Sequence, residues 1–582
     1  MKLKIAALLA ALSLAIQPLA SADQYLRPGA SPDGSTLITI EEPEFYESVR
    51  KGLTFKPTGG YDESFLCDTF LDEREVCNIA TPNMQFSAFH VLPVCETLTQ
   101  ENCVEGITFQ RPTSDSVTNG QLIRSVDGGT YDPVPEIGLH AGGTASLWNA
   151  DGYLNSENTE TYAVLAFERQ DFPSRFGRFE TTGVTVAVVP YREVAGNYTS
   201  VEAWEGEDVV GKTQVYDAGP GEDCVWVEDG LCGKRAGFVG SPRVSVTVRY
   251  SKDVNGWFRG RLTETDVKVE DFSAQNYRVT ISGGPVQVPR FAVYADRSNT
   301  PQVIEDMFPY GSGGSGQLYE ANSAKGTFAT DGYSNRPYTI LESYRQTVGD
   351  SAAGVSSLWS LESFTLYRNS QCFADSEGLI GVVTTNATAY EGTEPTYDSG
   401  FLSYKVAGLH YAPDGETVNE GTYDLVMRSD VARCLYGFKN APVSATVAVV
   451  GEFGEEKVAT TVVSEKDGWL KLAAYGFTFS EKEIQVKLRQ SQMKTLKTFS
   501  GSRTSLTSAQ KAEIRAVLAK SDGNTKFICT GIRYYQQPMS VNIMVRKRAK
   551  EACDYAKSIN PNSAIGIKPN RPRLAVMQAR CS

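Results

Sequence analysis

The sequence is poor in the residues and motifs that most catalytic and metal centres require. Histidine occurs only three times in 582 residues, as His90, His140 and His410, and no cysteines are spaced as Cys-x-x-Cys. Neither a Gly-rich phosphate loop after a strand, nor HExxH, nor GxSxG is present. This scarcity leaves little for general-base chemistry and argues against a zinc site. The sequence therefore predicts no cofactor, no metal site and no catalytic residue that can be named.

Long apolar runs are also missing beyond the first residues. Lys2 and Lys4 precede the apolar stretch Ile5–Ile16, and Ala20-Ser-Ala22 offers the small residues of a cleavage site. This pattern predicts a secretory signal peptide over 1–22, with an uncleaved anchor as the alternative. No later stretch approaches 18 apolar residues, so the mature chain is not expected to span a membrane. We expect a secreted or cell-envelope-associated protein.

Cysteines, by contrast, are numerous, and the eleven of them agree with an oxidising compartment. Close spacing favours three local bridges: Cys67–Cys77, Cys95–Cys103 and Cys224–Cys232. Cys372 and Cys434 are further disulfide candidates. The odd cysteine is assigned to Cys581, either as a free thiol or as a link to another chain.

The chain up to about residue 490 alternates apolar and polar residues in short runs separated by Gly, Asp, Asn and Pro. The clearest runs are Val184–Val188, Val244–Tyr250, Tyr277–Ile281 and Ile484–Leu488. A period of two places one face on a core and the other in water. The fold class predicted is a mainly β, multidomain protein with sandwich-like domains.

Two stretches share an order of motifs. Gly-Phe-x3-Pro at 237–242 and at 437–442 precedes an alternating run, and each is followed by a Gly-Trp pair ending in Trp257 or Trp469. We interpret this as a duplicated β domain whose tryptophans fill the core; stacking on a sugar ring is the alternative.

A flexible Gly/Ser linker at 311–318 separates the copies. The predicted domains are a β-rich region at 23–310, with a further split near residue 140, a second β-rich domain at 319–490, and a C-terminal domain at 491–582.

Charge is divided unevenly between these parts. Residues 484–582 carry 19 Lys and Arg against 4 Asp and Glu, a balance of +15, whereas residues 23–483 sit at −30. A basic module attracts anionic partners at low ionic strength. Wall phosphodiester polymers, carboxylate-rich glycan and the protein's own acidic body are the partners considered. Nucleic acid is not expected for an exported protein.

The basic C-terminal part predicts strand, helix, strand, helix, strand, strand. Thr507-x-x-Gln510 is a capping box at the start of the first helix. The second helix begins near Ser540 and carries an apolar face at three- and four-residue steps. This alternation predicts a small two-layer α/β domain in which Cys529 on a strand meets Cys553 on a helix.

Two segments of this domain resemble a known family. Arg548–Tyr555 resembles the second helix of OmpA-like peptidoglycan-associating domains, and Asn570–Val576 resembles their closing strand. The C-terminal part, with Cys529–Gly531 and Ala552–Lys557, resembles the OmpA-like tail of secreted actinobacterial proteins of unknown function. The β-rich body, including Arg433–Phe438 and Gly468–Lys471, is more loosely similar to the repeats in front of that tail. The resemblance implies that Arg548, with Arg571 and Arg573, contacts a wall carboxylate. The family's aspartate has no counterpart, because Arg533 or, in a shifted register, Tyr534 occupies its place. Arg548 has a second interpretation, as a snorkelling side chain beside the apolar stripe.

Two functions follow as hypotheses. The first is a non-enzymatic cell-envelope protein that displays its acidic body and contacts cell-wall glycan or another anionic polymer through its tail. The alternative is a secreted polysaccharide hydrolase with the tail as a retention module, which requires a cleft with two carboxyl groups roughly 5–10 Å apart.

Overall fold

The structure is a computed structural model. It describes residues 35–41, 50–51, 54–55, 65–66, 86–127, 130, 132–172, 177–202, 214–217, 224–308, 323–330, 335–364, 371–398, 401–437, 443–451, 454–456, 460–479, 482–490, 492–497, 499–518, 527–530, 539–559, 561, 565–568 and 578–581. Strand accounts for 49% and helix for 16%, in several sheets, which confirms a mainly β protein. The predicted signal peptide and Gly/Ser linker lie outside the described residues.

The strands follow in chain order. The first nineteen are β1 (Thr36–Glu41), β2 (Arg50–Lys51), β3 (Thr54–Phe55), β4 (Phe65–Leu66), β5 (Phe86–Val91), β6 (Cys103–Gln110), β7 (Val117–Asn119), β8 (Gln121–Ser125), β9 (Ser146–Asn149), β10 (Thr161–Phe172), β11 (Glu180–Ala195), β12 (Thr199–Glu202), β13 (Gln214–Asp217), β14 (Cys224–Glu228), β15 (Leu231–Arg235), β16 (Arg243–Ser251), β17 (Gly256–Arg261), β18 (Thr263–Asp271) and β19 (Asn276–Gly284). The others are β20 (Val286–Arg290), β21 (Ala292–Ala295), β22 (Ser323–Phe328), β23 (Gly354–Leu358), β24 (Ser360–Phe364), β25 (Leu379–Thr385), β26 (Ala389–Tyr390), β27 (Thr396–Asp398), β28 (Phe401–Ala407), β29 (Glu420–Arg428), β30 (Val443–Gly451), β31 (Gly454–Glu456), β32 (Thr460–Lys466), β33 (Trp469–Thr478), β34 (Lys482–Gln490), β35 (Gln492–Thr495), β36 (Phe527–Thr530), β37 (Ile565–Lys568) and β38 (Gln578–Cys581).

The helices within the described ranges are mostly short. They are α1 (Gln302–Met307), α2 (Arg336–Tyr344), α3 (Gln371–Ala374), α4 (Ser429–Tyr436), α5 (Ser508–Leu518) and α6 (Met539–Ile559), with a 3-10 turn at Pro135–Ile137. Among the described residues, none of these helices has the length and apolarity needed to cross a membrane.

One long sheet organises the body. Its main path is β32-β33-β29-β25-β17-β24-β11-β10-β9-β8, with β5 paired to β10 and β15 to β11. A five-stranded sheet (β18-β19-β16-β6-β7) and a six-stranded sheet built on β26-β28-β34-β30-β31 accompany it. Strand β17, from before the predicted linker, lies between β24 and β25, from after it. The described parts of the two predicted β regions therefore share a sheet.

The strands at the middle of the long sheet are buried on both faces. On β17, Phe258 packs into a core with residues of the five-stranded sheet, whereas its neighbour Trp257 packs into a core with residues of the six-stranded sheet. On β25, Val382 packs into the same core as Phe258, and Val383 packs into the same core as Trp257. Since successive side chains of a strand point to opposite faces, adjacent apolar residues can serve two cores.

The four alternating runs identified from the sequence all form strands, in β11, β16, β19 and β34. In each small sheet, the strand after the shared Gly-Phe-x3-Pro motif pairs antiparallel with the later alternating strand, β16 with β19 and β30 with β34. This similarity is compatible with the predicted duplication, which stays a prediction, as do the domain boundaries.

The C-terminal part forms a four-stranded sheet, β35-β38-β36-β37, against which both α5 and α6 pack. The observed order of strands and helices is the predicted one. Thr507 and Gln510 make the reciprocal capping box: the Thr507 N–H donates to Gln510 Oε1 at 2.8 Å, and the Gln510 N–H donates to Thr507 Oγ1 at 3.2 Å.

Candidate functional site

A groove of about 570 Å³ opens on the acidic body where the β18–β19 hairpin meets helix α4 and the β32–β33 turn. Its aromatic residues are Tyr277 on β19 and Trp469 at the start of β33. These elements are far apart in the sequence, so only the packing of the long sheet beside the five-stranded sheet creates the groove. Its volume is typical of a small-molecule site.

A tight turn places Trp469 at the groove. Asp467 and Gly468 connect β32 to β33 and have φ of 50° and 83°, and Lys466 pairs with Trp469 across them. Two successive positive φ values define a type I′ hairpin turn, for which Asp-Gly is a favoured sequence.

The tryptophans of the two Gly-Trp pairs differ in burial. Trp257 is fully buried, which confirms the prediction of a core tryptophan. Trp469 is only half-buried: it packs against the edge of the core beneath the five-stranded sheet and lines the groove. The prediction of a core residue is therefore wrong in part for Trp469, because the strand that carries it begins at the surface turn.

The position of the Tyr277 side chain requires a glycine at position 378. Gly378 has φ of 70°, and a Cβ at this position would lie 2.8 Å from the Tyr277 hydroxyl oxygen. The ammonium of Lys252 lies 4.9 Å from the centre of the Tyr277 ring. A side chain at position 378 would therefore displace Tyr277 as well as strain the backbone.

Four of the five charged residues of the groove form two ion pairs, and the fifth is Glu377. Arg428 donates from Nε and Nη2 to the two carboxylate oxygens of Asp430, at 3.1 and 2.6 Å, and from Nη1 to the Glu377 carbonyl at 2.6 Å. Arg433 donates to Glu465 at 2.6 Å. The groove therefore presents two fixed ion pairs, and its three carboxylates against two guanidinium groups leave one negative charge in excess.

This pairing limits acid–base chemistry in the groove. Burial raises the pKa of Asp430, but the hydrogen bonds and charge of Arg428 outweigh burial and hold that pKa below its usual value. A glycosidase general acid needs the opposite shift, so that its carboxyl group keeps a proton near neutral pH. Asp430 is ionised under those conditions and has no proton to donate.

A second polar constellation lies inside the sheet, at β5 and β10. His90 and Glu168 are directly opposite each other in this antiparallel pair, and both are buried. His90 Nε2 donates to Glu168 Oε2 at 3.0 Å, and His140 Nδ1, from the loop after the 3-10 turn, donates to the same oxygen at 2.8 Å. Two imidazoles therefore share one carboxylate oxygen.

Electrostatics keep this carboxylate charged. Burial raises the pKa of Glu168, but the charges and hydrogen bonds of His140 and His90 lower it well below the usual range. Burial lowers the pKa of His140, and the Glu168 charge more than reverses that effect.

This cluster is not predicted from the sequence, where three histidines are too few to indicate a site. The fold brings two of them together, and one nitrogen of each ring and a Glu168 oxygen lie within 4.8 Å of one another. Glu168 does not stand out in the sequence, because it begins the polar run Glu168–Asp171 in the second half of a twelve-residue strand.

The described part of the chain contains four disulfides: Cys95–Cys103, Cys224–Cys232, Cys372–Cys434 and Cys529–Cys553. The predicted pairs among the described cysteines are confirmed, and the two candidates without an assigned partner, in α3 and α4, bridge each other. The pair Cys67 and Cys77 lies outside the described residues. Four bridges indicate an extracytoplasmic protein.

Arg548 of the C-terminal module contacts its own chain. Its Nε donates to the Arg503 carbonyl at 2.8 Å, its Nη2 donates to the Gly501 carbonyl, and its guanidinium lies 4.9 Å from the centre of the Phe499 ring. These contacts hold the loop before α5 against α6. Wall binding by Arg548 stays a prediction.

The other predicted ligand residues, Arg571 and Arg573, lie outside the described residues, as do Arg533 and Tyr534. A comparison with protein-family models finds no match for this chain, and a comparison with curated proteins finds none either.

Proposed function

We propose that this is a non-enzymatic binding protein of the cell envelope. Its disulfide-braced acidic body binds a glycan in the groove of Tyr277 and Trp469. Its basic C-terminal module, OmpA-like by resemblance, contacts the cell wall or another anionic polymer. The observation that carries the proposal is the half-buried Trp469 beside two fixed ion pairs in a groove of small-molecule size.

The chemistry of the groove suits sugar rings. Trp and Tyr offer a flat apolar face together with a polar tip, a combination that recurs at binding surfaces. The forked Arg428–Asp430 pair and the Arg433–Glu465 pair hold their donors and acceptors in place, so little side-chain freedom is lost when a hydroxyl-rich ligand binds. Because the two pairs cancel and Glu377 leaves one negative charge in excess, a neutral glycan is favoured over an anionic one.

The basic module supplies a different kind of contact. On α6, Arg546, Lys547 and Lys550 are exposed, and Lys550 pairs with Asp554 at 2.5 Å. A surface of this kind attracts a polyanion through its summed charge, and salt weakens that attraction. The two binding modes are therefore separable by ionic strength.

The groove is tested with the full chain and soluble cell-wall glycan fragments, using calorimetry. Trp469→Ala should weaken binding at least tenfold, about 1.4 kcal/mol, because the stacking face is removed. Val117→Ala, at an exposed apolar residue on β7, which pairs with the end of β6 remote from Tyr277, is the matched control. Equal affinities for the wild type and Trp469→Ala would overturn the assignment of the groove.

The module is tested by sedimenting the full chain with wall sacculi at low and high salt. Binding that is lost at high salt, and that weakens when Arg546 and Lys547 are both changed to Gln, supports an anionic polymer as the partner. Loss with Arg548→Ala at every salt concentration, with the melting temperature unchanged, supports a specific carboxylate site. A chain that stays in the supernatant at low salt contradicts wall contact.

The alternative of a polysaccharide hydrolase is less favoured, because two of the three groove carboxylates, Asp430 and Glu465, are paired with arginines, and the mechanism needs two free carboxyl groups. The glycan fragments recovered after the binding experiment provide the check. Shortened fragments would favour the hydrolase.

A further inference from the structure

We propose that His90, His140 and Glu168 form a binding site for one divalent transition-metal ion of the zinc class. The proposal is independent of the groove and of the C-terminal module. It starts from the donor set: two imidazole nitrogens and one carboxylate oxygen within 4.8 Å of one another.

The spacing of the donor atoms suits an ion between them. Zinc binds imidazole nitrogen and carboxylate oxygen at about 2.0–2.2 Å, which places tetrahedral ligand atoms about 3.4 Å apart. The separations from Glu168 Oε2 are 3.0 Å to His90 Nε2 and 2.8 Å to His140 Nδ1. Each imidazole would bind the ion as the neutral tautomer that carries its proton on the other ring nitrogen, so that the nitrogen now facing the carboxylate offers a lone pair, and shifts of less than about 1 Å would admit the ion.

The supporting contacts resemble those that orient metal ligands. Thr181 Oγ1 donates to Glu168 Oε1 at 2.6 Å, so the second carboxylate oxygen is already held. The backbone N–H of His140 donates to Gln170 Oε1 at 3.0 Å, and Gln170 Nε2 donates to the Gly138 carbonyl at 3.0 Å. These bonds fix the His140 loop onto β10. Such outer partners typically change metal affinity 10- to 100-fold.

Burial and charge favour a cation here. The side chains of His90 and Glu168 are 1% and 0% exposed, whereas that of His140 is 20% exposed. With neutral imidazoles the site carries the one negative charge of Glu168. Access on the His140 side leaves room for a fourth ligand such as water, as in three-ligand zinc sites.

The donor types restrict the ion. Imidazole suits zinc, copper and nickel better than calcium or magnesium, which prefer all-oxygen sites. The cluster has no thiolate, so a soft monovalent ion is not favoured. Zinc and cobalt(II) are therefore the appropriate probes.

The experiment uses the untagged full chain, stripped with chelator and then equilibrated with Zn²⁺ or Co²⁺. We expect one ion per chain by mass spectrometry, together with the visible absorption of low-symmetry Co²⁺ bound to nitrogen and oxygen. His140→Ala should weaken zinc binding at least 100-fold, and Thr181→Val should weaken it about tenfold. His410→Ala is the matched control, because it removes the remaining histidine, which lies between β28 and β29.

Folding of the variants does not obscure the result. His140 is the most exposed of the three ligands, so its variant reports binding even where Glu168→Gln fails to fold. Absence of stoichiometric metal in the wild type overturns the proposal and leaves a hydrogen-bonded cluster. Equal binding by the wild type and His140→Ala overturns it as well, since the ion then lies elsewhere.

Discussion

Asp424 lies fully buried on β29, within the long sheet between β25 and β33. Its Oδ1 accepts a hydrogen bond from the Tyr475 hydroxyl at 2.7 Å, and its Oδ2 accepts one from the Glu264 N–H at 3.0 Å. The ammonium of Lys471 is 3.7 Å away. Burial raises the pKa of Asp424 to about 6, although Lys471 and Tyr475 both favour the charged form.

The raised pKa makes stability fall as pH rises. In the unfolded chain an aspartate titrates near 3.9, so between about pH 4 and pH 6 the folded protein holds the proton more tightly. The stabilisation is complete below about pH 4 and is lost as pH passes through about 6, by about 3 kcal/mol in all. Asp424→Asn removes the ionisation and therefore this loss.

Melting temperatures of the wild type and Asp424→Asn, measured from about pH 4 to pH 8, provide the assay. Unfolding entropy is about 2.1 cal/mol/K per residue, so for a cooperative unit of several hundred residues we expect the variant to gain about 3 °C on the wild type across this range. Asp115→Asn, at an exposed residue, should show no such gain. A difference between Asp424→Asn and wild type that stays constant with pH would refute the reasoning.

Three further predictions concern stability. Replacing both cysteines of the Cys372–Cys434 bridge by Ala should lower the free energy of unfolding by about 4 kcal/mol, and the same change at Cys95–Cys103 should lower it by about 2.5 kcal/mol, because the sequence separations are 62 and 8 residues. Equal losses in denaturant titrations would contradict the loop-length argument. Thr507→Ala should cost about 1 kcal/mol and speed amide exchange in α5, and unchanged exchange there would contradict the capping role. Gly468→Ala should lower stability by about 1 kcal/mol through its φ of 83° alone, since a Cβ would meet no atom within 4 Å. Asp467→Asn is the control for that turn and should leave the melting temperature unchanged.

Local patterns explain what could be predicted. The alternation in Val244–Tyr250 became β16, and the capping residues Thr507 and Gln510 bracket the start of α5, because each signal depends on neighbours within a few positions. Trp469 shows the limit of such reasoning: a Gly-Trp pair looks the same whether its strand begins in a core or at a surface turn. Burial depends on which distant elements cover the strand.

The sequence by itself determined the mainly β character of the body, the order of elements in the C-terminal module, the charge split and several disulfides, since these follow from periodicity, composition and short spacing. Tertiary structure alone decided that strands from both β regions join one sheet, that Tyr277 and Trp469 line one groove, and that His90 and His140 meet at Glu168. The physical reason is shared by all three: strand partners are chosen by packing over long separations, and a pairing such as that of β5 with β10 leaves no mark in the local sequence of either strand.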